Sequence, residues 1–213
     1  MEQHYCNEIE LVGRIQEPPS FSHRAGTAEF WQVPFHVCRR SGTEDVLQVL
    51  LRREQAETLD LDALSCLKVK GRVCSFNERR EGTNRLKITV LAQSLEPVRG
   101  EEENRVRLWG RLCKPPVYRR TPLGREICDL LLAVPRRFGK ADYLPCVVWG
   151  QGARMGAKLS VGAQVALTGR LQSRGYQKVL EDRTEQRTAY EISVARLETE
   201  PDLSTDASPF FGT

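Results

Sequence analysis

Hydrophobic and polar residues alternate most regularly in the second half of the chain. Over residues 105–112, apolar side chains alternate with basic and aromatic ones, which is the period of a half-buried β-strand. The apolar runs 127–134 and 143–149 predict a second and a third strand. Segment 121–124 contains Pro and Gly and predicts a turn between the first two strands.

The pattern continues beyond the third strand as a short helix and two more strands. Residues 151–159 could form the helix, residues 164–176 carry apolar side chains at period two, and residues 190–197 give a closing strand. Five strands with one helix after the third is the plan of the OB-fold, a small barrel whose open face binds oligonucleotides.

The first half of the chain repeats the second. A shift of 97 residues aligns residues 7–53 with residues 104–150 without a gap. The first-half positions that are identical to their counterparts are Asn7, Leu11, Gly13, Arg14, Pro18, Pro19, Glu29, Val37, Arg39, Arg40, Gly42, Asp45 and Leu47. A second copy of the same fold is therefore present.

We therefore predict an all-β protein of two tandem five-stranded OB-fold barrels, each with a short helix after the third strand. The expected domains are residues 1–100, residues 101–198 and a flexible acidic tail at residues 199–213. The connecting segment 97–103 is too short for a flexible tether, so we expect the two barrels to pack close together.

Motifs in the second half resemble the bacterial single-stranded DNA-binding protein family. They are NxVxLxGRL at residues 104–112, TxxG at 121–124, LAV at 132–134, VVWG at 147–150 and GRLQSRxY at 169–176. Each motif alone is a weak signal, but their order and spacing cover almost the whole second half.

Sequence-tolerant binding of single strands requires flat rings on which bases stack and cations that contact phosphates. The resemblance implies stacking roles for aromatic residues at four motif positions, which here are Phe138, Tyr143, Trp149 and Tyr176. The arginines that we expect to contact nucleic acid beside these rings are Arg111, Arg119, Arg120, Arg136, Arg137 and Arg174.

The net charge separates the two copies. Residues 1–103 carry 14 Lys and Arg against 17 Asp and Glu, residues 104–200 carry 18 against 9, and the tail adds two Asp. The three net charges are therefore −3, +9 and −2, for a total of +4. Because the phosphate backbone attracts clustered cations, the second barrel is the candidate for nucleic-acid binding.

The first copy lacks the expected stacking residues. It has Ser41, Val46 and Arg52 at the positions equivalent to Phe138, Tyr143 and Trp149. We therefore predict that the first barrel is structural or binds nucleic acid weakly.

The sequence gives little support to an enzyme, so we expect none. All three His lie in the first half, no nucleophile and base pair or phosphate loop is evident, and the seven scattered Cys form no C-x-x-C pair. We therefore expect no catalytic residues, no metal site and no cofactor. No targeting segment or long apolar run occurs, which favours a cytoplasmic protein without membrane contact.

Two functions of different classes fit these features. The first is a sequence-tolerant single-stranded DNA-binding protein acting in DNA replication, repair or recombination. The alternative is an OB-fold protein-interaction subunit of a replication or conjugation assembly, in which nucleic-acid binding is secondary. Stacking and phosphate attraction do not read the sugar, so DNA and RNA both remain open at this point.

The resemblance also implies partners. Family members usually present four barrels together, so a chain with two barrels is expected to form a homodimer, with Trp109 and Arg107 on the exposed face of a strand at the interface. An acidic tail that ends in Pro-Phe recruits replication and repair proteins in that family. Here Pro209, Phe210 and Phe211 are followed by Gly212-Thr213, so the terminal carboxylate is displaced from the ring.

Overall fold

The computed structural model describes residues 6–59, 66–80, 83–179 and 184–199, and it confirms the all-β fold. The first barrel contains β1 (Asn7–Ile15), β2 (Ser20–Ala25), β3 (Ala28–Cys38), β4 (Glu44–Arg52), α1 (Arg53–Glu57), β5 (Leu67–Arg80) and β6 (Thr83–Pro97). The second contains β7 (Glu103–Leu112), β8 (Val117–Arg120), β9 (Glu126–Pro135), the 3₁₀ turn η1 (Arg137–Gly139), β10 (Ala141–Trp149), α2 (Gln151–Gly156), β11 (Gln164–Val179) and β12 (Thr184–Thr199).

Each half closes into a barrel in the same way. In the second half, β9 pairs antiparallel with β7 and β10, β11 pairs antiparallel with β7 and β12, and a short parallel pairing of β10 with β12 completes the circle. The equivalent parallel pairing in the first half joins β4 to β6. Buried residues at alternating positions, such as Phe35 and Leu47 in one barrel and Leu132 and Leu144 in the other, fill the two cores.

Each barrel has one strand more than the five that the sequence pattern predicts. The pairs Pro18-Pro19 and Pro115-Pro116 follow the first strand, and Pro cannot donate a ladder hydrogen bond, so the strand stops there. The chain then resumes as β2 or β8, which pairs with the next strand. The helix α2 is also shorter than the expected segment 151–159.

A β-bulge bends the long hairpin of each barrel at a glycine. The register shifts between Lys70 and Gly71 in β5 and between Thr168 and Gly169 in β11. A Cβ atom on Gly71 or Gly169 would lie 2.2 Å from a carbonyl oxygen of the paired strand. Only glycine fits at this close approach, which the barrel needs in order to curve.

The two barrels join edge to edge through their first strands. β1 and β7 pair antiparallel around the match of Ile9 with Val106, two residues that are equivalent in the repeat. An approximate two-fold axis therefore passes through this pair, and all the strands belong to one twelve-stranded sheet. Such continuous pairing agrees with the expectation of close packing.

Contacts farther from the axis follow the same two-fold relation. Asp45 is buried and accepts the backbone N–H of Ser173 at 2.7 Å. Asp142, the repeat equivalent of Asp45, accepts the backbone N–H of Ser75. Each barrel thus places one buried carboxylate against the long hairpin of the other barrel. Neither helix in the described part of the chain is long and apolar enough to cross a membrane.

Candidate nucleic-acid interface

The outer surface of strands β8, β9 and β10 carries two of the predicted stacking residues. Tyr143 and Trp149 lie on the same side of β10 because side chains alternate along a strand, and six residues separate their Cα atoms by about 20 Å. We call this outer surface of β8–β10 the stacking face.

An apolar floor lies between the two rings. Val147 lies between Tyr143 and Trp149 on the same side of β10 and is 6% exposed, and Ile127, which pairs with Trp149 in the strand register, is 2% exposed. Trp149 itself is 40% exposed and Tyr143 is 47% exposed. The rings are therefore partly seated on the sheet while their outer parts remain open to a ligand.

Phe138 lies at the tip of the turn between β9 and β10. Its side chain is 97% exposed, so it contributes nothing to the barrel core. Its backbone has a positive φ of 63°, which is rare for a residue other than glycine. The N–H of Arg136 donates to the carbonyl of Lys140 at 2.7 Å and closes this turn beneath the ring.

Tyr176 lies apart from the other three rings, on β11 opposite Arg187. It lines a cleft of about 1640 Å³ that the β5–β6 and β11–β12 hairpins form together with β2, β3 and β4 of the first barrel. The cleft reaches Pro145, which lies on the stacking face between Tyr143 and Trp149. The cleft therefore extends from Tyr176 to the stacking face.

Sequence reasoning missed several residues of this cleft. Phe76 of the first barrel is 46% exposed and lines it together with Tyr190. Arg85, Lys87 and Lys178 add cations to the same walls. The alternation along β5 was the available signal for Phe76, but nothing in the sequence indicated that the two hairpins face one cleft.

Most of the predicted arginines are engaged by acidic side chains. Arg119 binds Asp129 at 2.7 Å, Arg120 lies 3.3 Å from Glu126, and Arg174 lies 4.0 Å from Glu191. Exposed pairs of this kind contribute little stability, so a phosphate can compete with the carboxylate. The structure places Arg111 at 3.4 Å from the carbonyl of Gly162, and it describes no side-chain position for Arg137.

Glu126 is the centre of a local cluster of charged and polar side chains. It accepts hydrogen bonds from Tyr118 and Arg154, each at 2.7 Å. The hydrogen bonds from Arg154 and Tyr118 lower the pKa of Glu126 from 4.5 to about 2. The carboxylate therefore stays charged at neutral pH. Its hydrogen bonds fix the start of β9, one of the three strands of the stacking face.

Arg136 holds the Phe138 turn against the first barrel. Its Nε donates to Asp142 at 2.6 Å, and its Nη2 donates to the carbonyl of Ser75 at 2.6 Å. The hydroxyl of Ser75 in turn accepts the backbone N–H of Tyr143 at 2.7 Å. The guanidinium is thus committed to contacts within the protein.

The predicted dimer-interface residues lie at the junction of the two barrels. Arg107 forms a salt bridge of 2.6 Å with Glu8 of β1. The backbone N–H of Trp109 donates to the carbonyl of Cys6 at 2.8 Å, and its side chain is half-buried. Pairing within the chain therefore uses part of the surface that we expected a second chain to cover.

The equivalent outer surface of the first barrel has Gln48 where the stacking face has Pro145, and Arg52 where it has Trp149. Gln32 donates to Gln48 at 2.6 Å, and these residues occupy the positions of Asp129 and Pro145. His23 stacks on Phe30 with ring centroids 5.0 Å apart, and Phe21 meets Trp31 edge to face at 5.9 Å, so this barrel keeps aromatic side chains of its own.

Within the ranges that the structure describes, no group of three or more His, Cys, Asp or Glu side chains is placed to hold a metal ion. The seven cysteines are all free. Burial raises the pKa of the Cys146 thiol, which keeps it protonated. The predicted tail residues Pro209, Phe210 and Phe211 lie outside the described residues.

Comparisons with known proteins agree with this geometry. Residues 103–199 match the model of the single-strand binding protein family. The single-stranded DNA-binding protein of Clostridium tetani is 43% identical over 81 residues, which are 35% of this chain and 56% of that protein. Single-stranded DNA-binding protein 1 of Staphylococcus aureus is also 43% identical over 81 residues, which cover 35% of this chain and 48% of that protein. The chain thus spans about half the length of these curated relatives.

Solved structures extend the likeness of fold to both barrels. The wild-type single-stranded DNA binding protein from Thermus aquaticus has a TM-score of 0.72 and 24% identity, covering 92% of this chain and 93% of that chain. A deletion mutant of the same protein has the same TM-score and 23% identity, covering 92% of this chain and 95% of that chain. The resemblance inferred from the motifs is confirmed: residues 103–199 belong to the single-strand binding protein family.

Proposed function

We propose that the protein binds single-stranded DNA without sequence preference and covers exposed strands during DNA replication, repair or recombination in the cytoplasm. No catalytic step is part of this function. The observation that supports it most directly is the stacking face, where Tyr143 and Trp149 remain open above a buried apolar floor. Phe138 adds a fully accessible ring at the end of the same hairpin.

The proposed contacts favour unpaired bases. A ring such as Phe138 can stack only on a base whose face is free, and bases in a duplex already stack on one another. Phosphates would meet Arg119, Arg120 and Arg174 after displacing the carboxylates that now pair with them. Binding should therefore depend strongly on salt concentration.

The two barrels have different roles in this proposal. The domain at residues 101–198 supplies the rings, and the domain at residues 1–100 supports it through the paired strands and the buried aspartates. The polar pair of Gln32 and Gln48 supports a weak nucleic-acid face on the first barrel. An interaction subunit with secondary nucleic-acid binding is the alternative function.

A titration of the intrinsic tryptophan fluorescence tests the proposal. Oligo-dT should quench the signal and bind much more tightly than a duplex of equal length, and added salt should weaken binding steeply. Oligo-U in the same titration measures the preference for DNA over RNA. An affinity for duplex equal to that for oligo-dT, or an affinity that does not change with salt concentration, would contradict the proposal and favour the interaction subunit.

Two further parts of the proposal concern partners. The protein would act as a homodimer that presents four barrels. The parts of Arg107 and Trp109 that the pairing within the chain leaves exposed would lie at the contact between the two chains. The acidic tail at residues 199–213 would recruit replication or repair proteins through Pro209, Phe210 and Phe211. The resemblance to the family supports both parts.

A further inference from the structure

A second pocket lies where the Phe138 turn meets the first barrel. It has a volume of about 640 Å³, within the range of roughly 300–1,000 Å³ that is typical of small-ligand pockets. Arg52 at the end of β4 and Arg72 on β5 line it from the first barrel, while Phe138 and Lys140 line it from the second. We call this pocket the junction pocket.

The position of the junction pocket follows from the contacts of Ser75. Arg136 and Asp142 both bind the backbone of Ser75, which lies three residues beyond Arg72 on β5. These contacts hold the β9–β10 turn over the first barrel, so the ring of Phe138 and the two arginines reach one cavity. The site exists only because the two barrels are joined in this arrangement.

The charge of the junction pocket is strongly positive. Its charged lining residues are Arg52, Arg72, Arg136 and Lys140, and no carboxylate lines it. Asp142 neutralises Arg136, but within the part of the chain that the structure describes no salt bridge involves Arg52, Arg72 or Lys140. This distinguishes the pocket from the stacking face, where Arg119 and Arg120 are paired with acids.

The corner of the molecule that holds the junction pocket differs in sequence from the corner that is its equivalent in the repeat. Ser41 and Thr43 stand in the first barrel where Phe138 and Lys140 stand in the second. Arg52 occupies the position of Trp149. The first copy has thus exchanged a ring for a cation at the place that faces the Phe138 turn. Of the two equivalent corners, this one combines an open ring with cations from both barrels that form no salt bridge within the described residues.

We infer that the junction pocket binds one nucleotide of a DNA strand that passes from the second barrel to the first. The base stacks on Phe138, and the adjoining phosphates bind Arg52 and Arg72. The first barrel, although it lacks the stacking residues, therefore contributes phosphate contacts to the same strand. This inference rests on the proposed function, because it requires that the stacking face binds single-stranded DNA.

The test compares Arg52→Gln and Arg72→Gln with Arg53→Gln as a matched control. Arg53 is the neighbouring arginine, and it is already held by Glu57 at 2.6 Å outside the pocket. The affinity for a long oligo-dT is measured across salt concentrations. Each pocket variant should lower the slope of log K against log salt by about 0.7, the value for one lost phosphate contact on a single strand.

Two further variants separate a direct contact from a structural effect. Arg52→Lys keeps the charge and should keep the wild-type slope. In a Phe138→Ala background, Arg52→Gln should have a smaller effect, because the stacked base that positions the phosphates is missing. Pocket variants that behave like Arg53→Gln, while the wild type binds oligo-dT, would overturn the inference alone. A wild type that does not bind oligo-dT would overturn the proposed function together with it.

Discussion

The buried carboxylate of Asp142 accepts the backbone N–H of Ser75, which belongs to the other barrel. The relation is reciprocal, since Asp45 accepts the N–H of Ser173 at 2.7 Å across the same junction. An edge strand of one barrel could slide or hinge on the other if β1 and β7 were the only contact. The two aspartates fix the barrels on either side of the axis, so the orientation of the Phe138 turn is set.

Asp142→Ala should destabilise the protein by roughly 3 kcal/mol, the low end for breaking a buried ion pair, since Arg136 remains 25% exposed. The variant loses stability because it leaves the Arg136 guanidinium without its carboxylate and the Ser75 N–H without its acceptor. Asp45→Ala should cost a similar amount because of the two-fold relation. Urea unfolding measures both variants.

Asp129→Ala is the matched control for these variants. Its pair with Arg119 is largely exposed, so the cost should stay below about 1 kcal/mol. Equal unfolding midpoints for Asp142→Ala and Asp129→Ala would show that the junction contributes no more than a surface pair.

Phe138→Ala should weaken oligo-dT binding by about 1–3 kcal/mol, the value of one base–aromatic stack, without lowering the melting temperature. The ring is 97% exposed and supports no core residue, so binding and stability separate cleanly at this position. Trp149→Ala should weaken binding by a similar amount. Ser41→Ala, at the equivalent place in the first barrel, should change neither quantity. A binding loss in Ser41→Ala with an intact fold would move the site to the first barrel.

The Glu126 carboxyl should titrate near pH 2 in the folded protein. Its pKa is lowered on folding, so the stabilisation that it provides is complete above its unfolded value of about 4.5 and is lost as pH falls toward 2. Glu126→Gln should therefore reduce the loss of stability between those pH values and leave the pH dependence above 5 unchanged. Thermal melts across that range measure the difference. A wild-type carbon-13 NMR midpoint near 4.5 would refute the assigned hydrogen bonds.

Light scattering should give twice the mass of one chain at micromolar concentration. Arg107→Glu together with Trp109→Ala should reduce this mass, because both residues lie at the proposed contact. Because Arg107 also pairs with Glu8, the single variant Glu8→Gln serves as the control for losses within the chain. A monomer mass for the wild type would exclude the dimer.

Deletion of residues 208–213 should leave oligo-dT affinity unchanged or slightly higher, because the deleted segment contains no cation that could bind phosphate. The same deletion should weaken the capture of replication and repair proteins from a lysate of the source cell. Replacement of Phe210 and Phe211 by Ser keeps the length and charge of the tail, so it isolates the rings. Identical captured proteins for the full-length and shortened chains would rule out a recruiting role.

Periodicity and the repeat predict most of the fold. The alternation at residues 105–112 places β7, and the shift of 97 residues transfers the pattern of residues 104–150 to the first half. Strand β8 was not predicted because Val117–Arg120 is four residues long, lies between proline-containing segments and has no alternation. Its strand conformation depends on pairing with β9, which a local pattern cannot show.

The site was predictable only in part. Period two along β10 predicts that Tyr143 and Trp149 share a face, and the structure places both there. Arg136 was expected to contact phosphate, but it binds Asp142 and the carbonyl of Ser75, 61 residues away in sequence. The sequence offered one signal for this contact: the pair Arg39 and Asp45 recurs at the equivalent positions as Arg136 and Asp142. It could not show which segment of the other barrel these side chains bind.

The pairing of β1 with β7 has a consequence for dilute protein. Residues 98–102 connect β6 to β7, so the two barrels of one chain are always within reach of each other. Their association is intramolecular and has a high effective concentration, which makes it independent of how many chains are present. A pair of barrels on separate chains would dissociate on dilution, whereas this pair stays assembled when the protein is scarce relative to the exposed DNA.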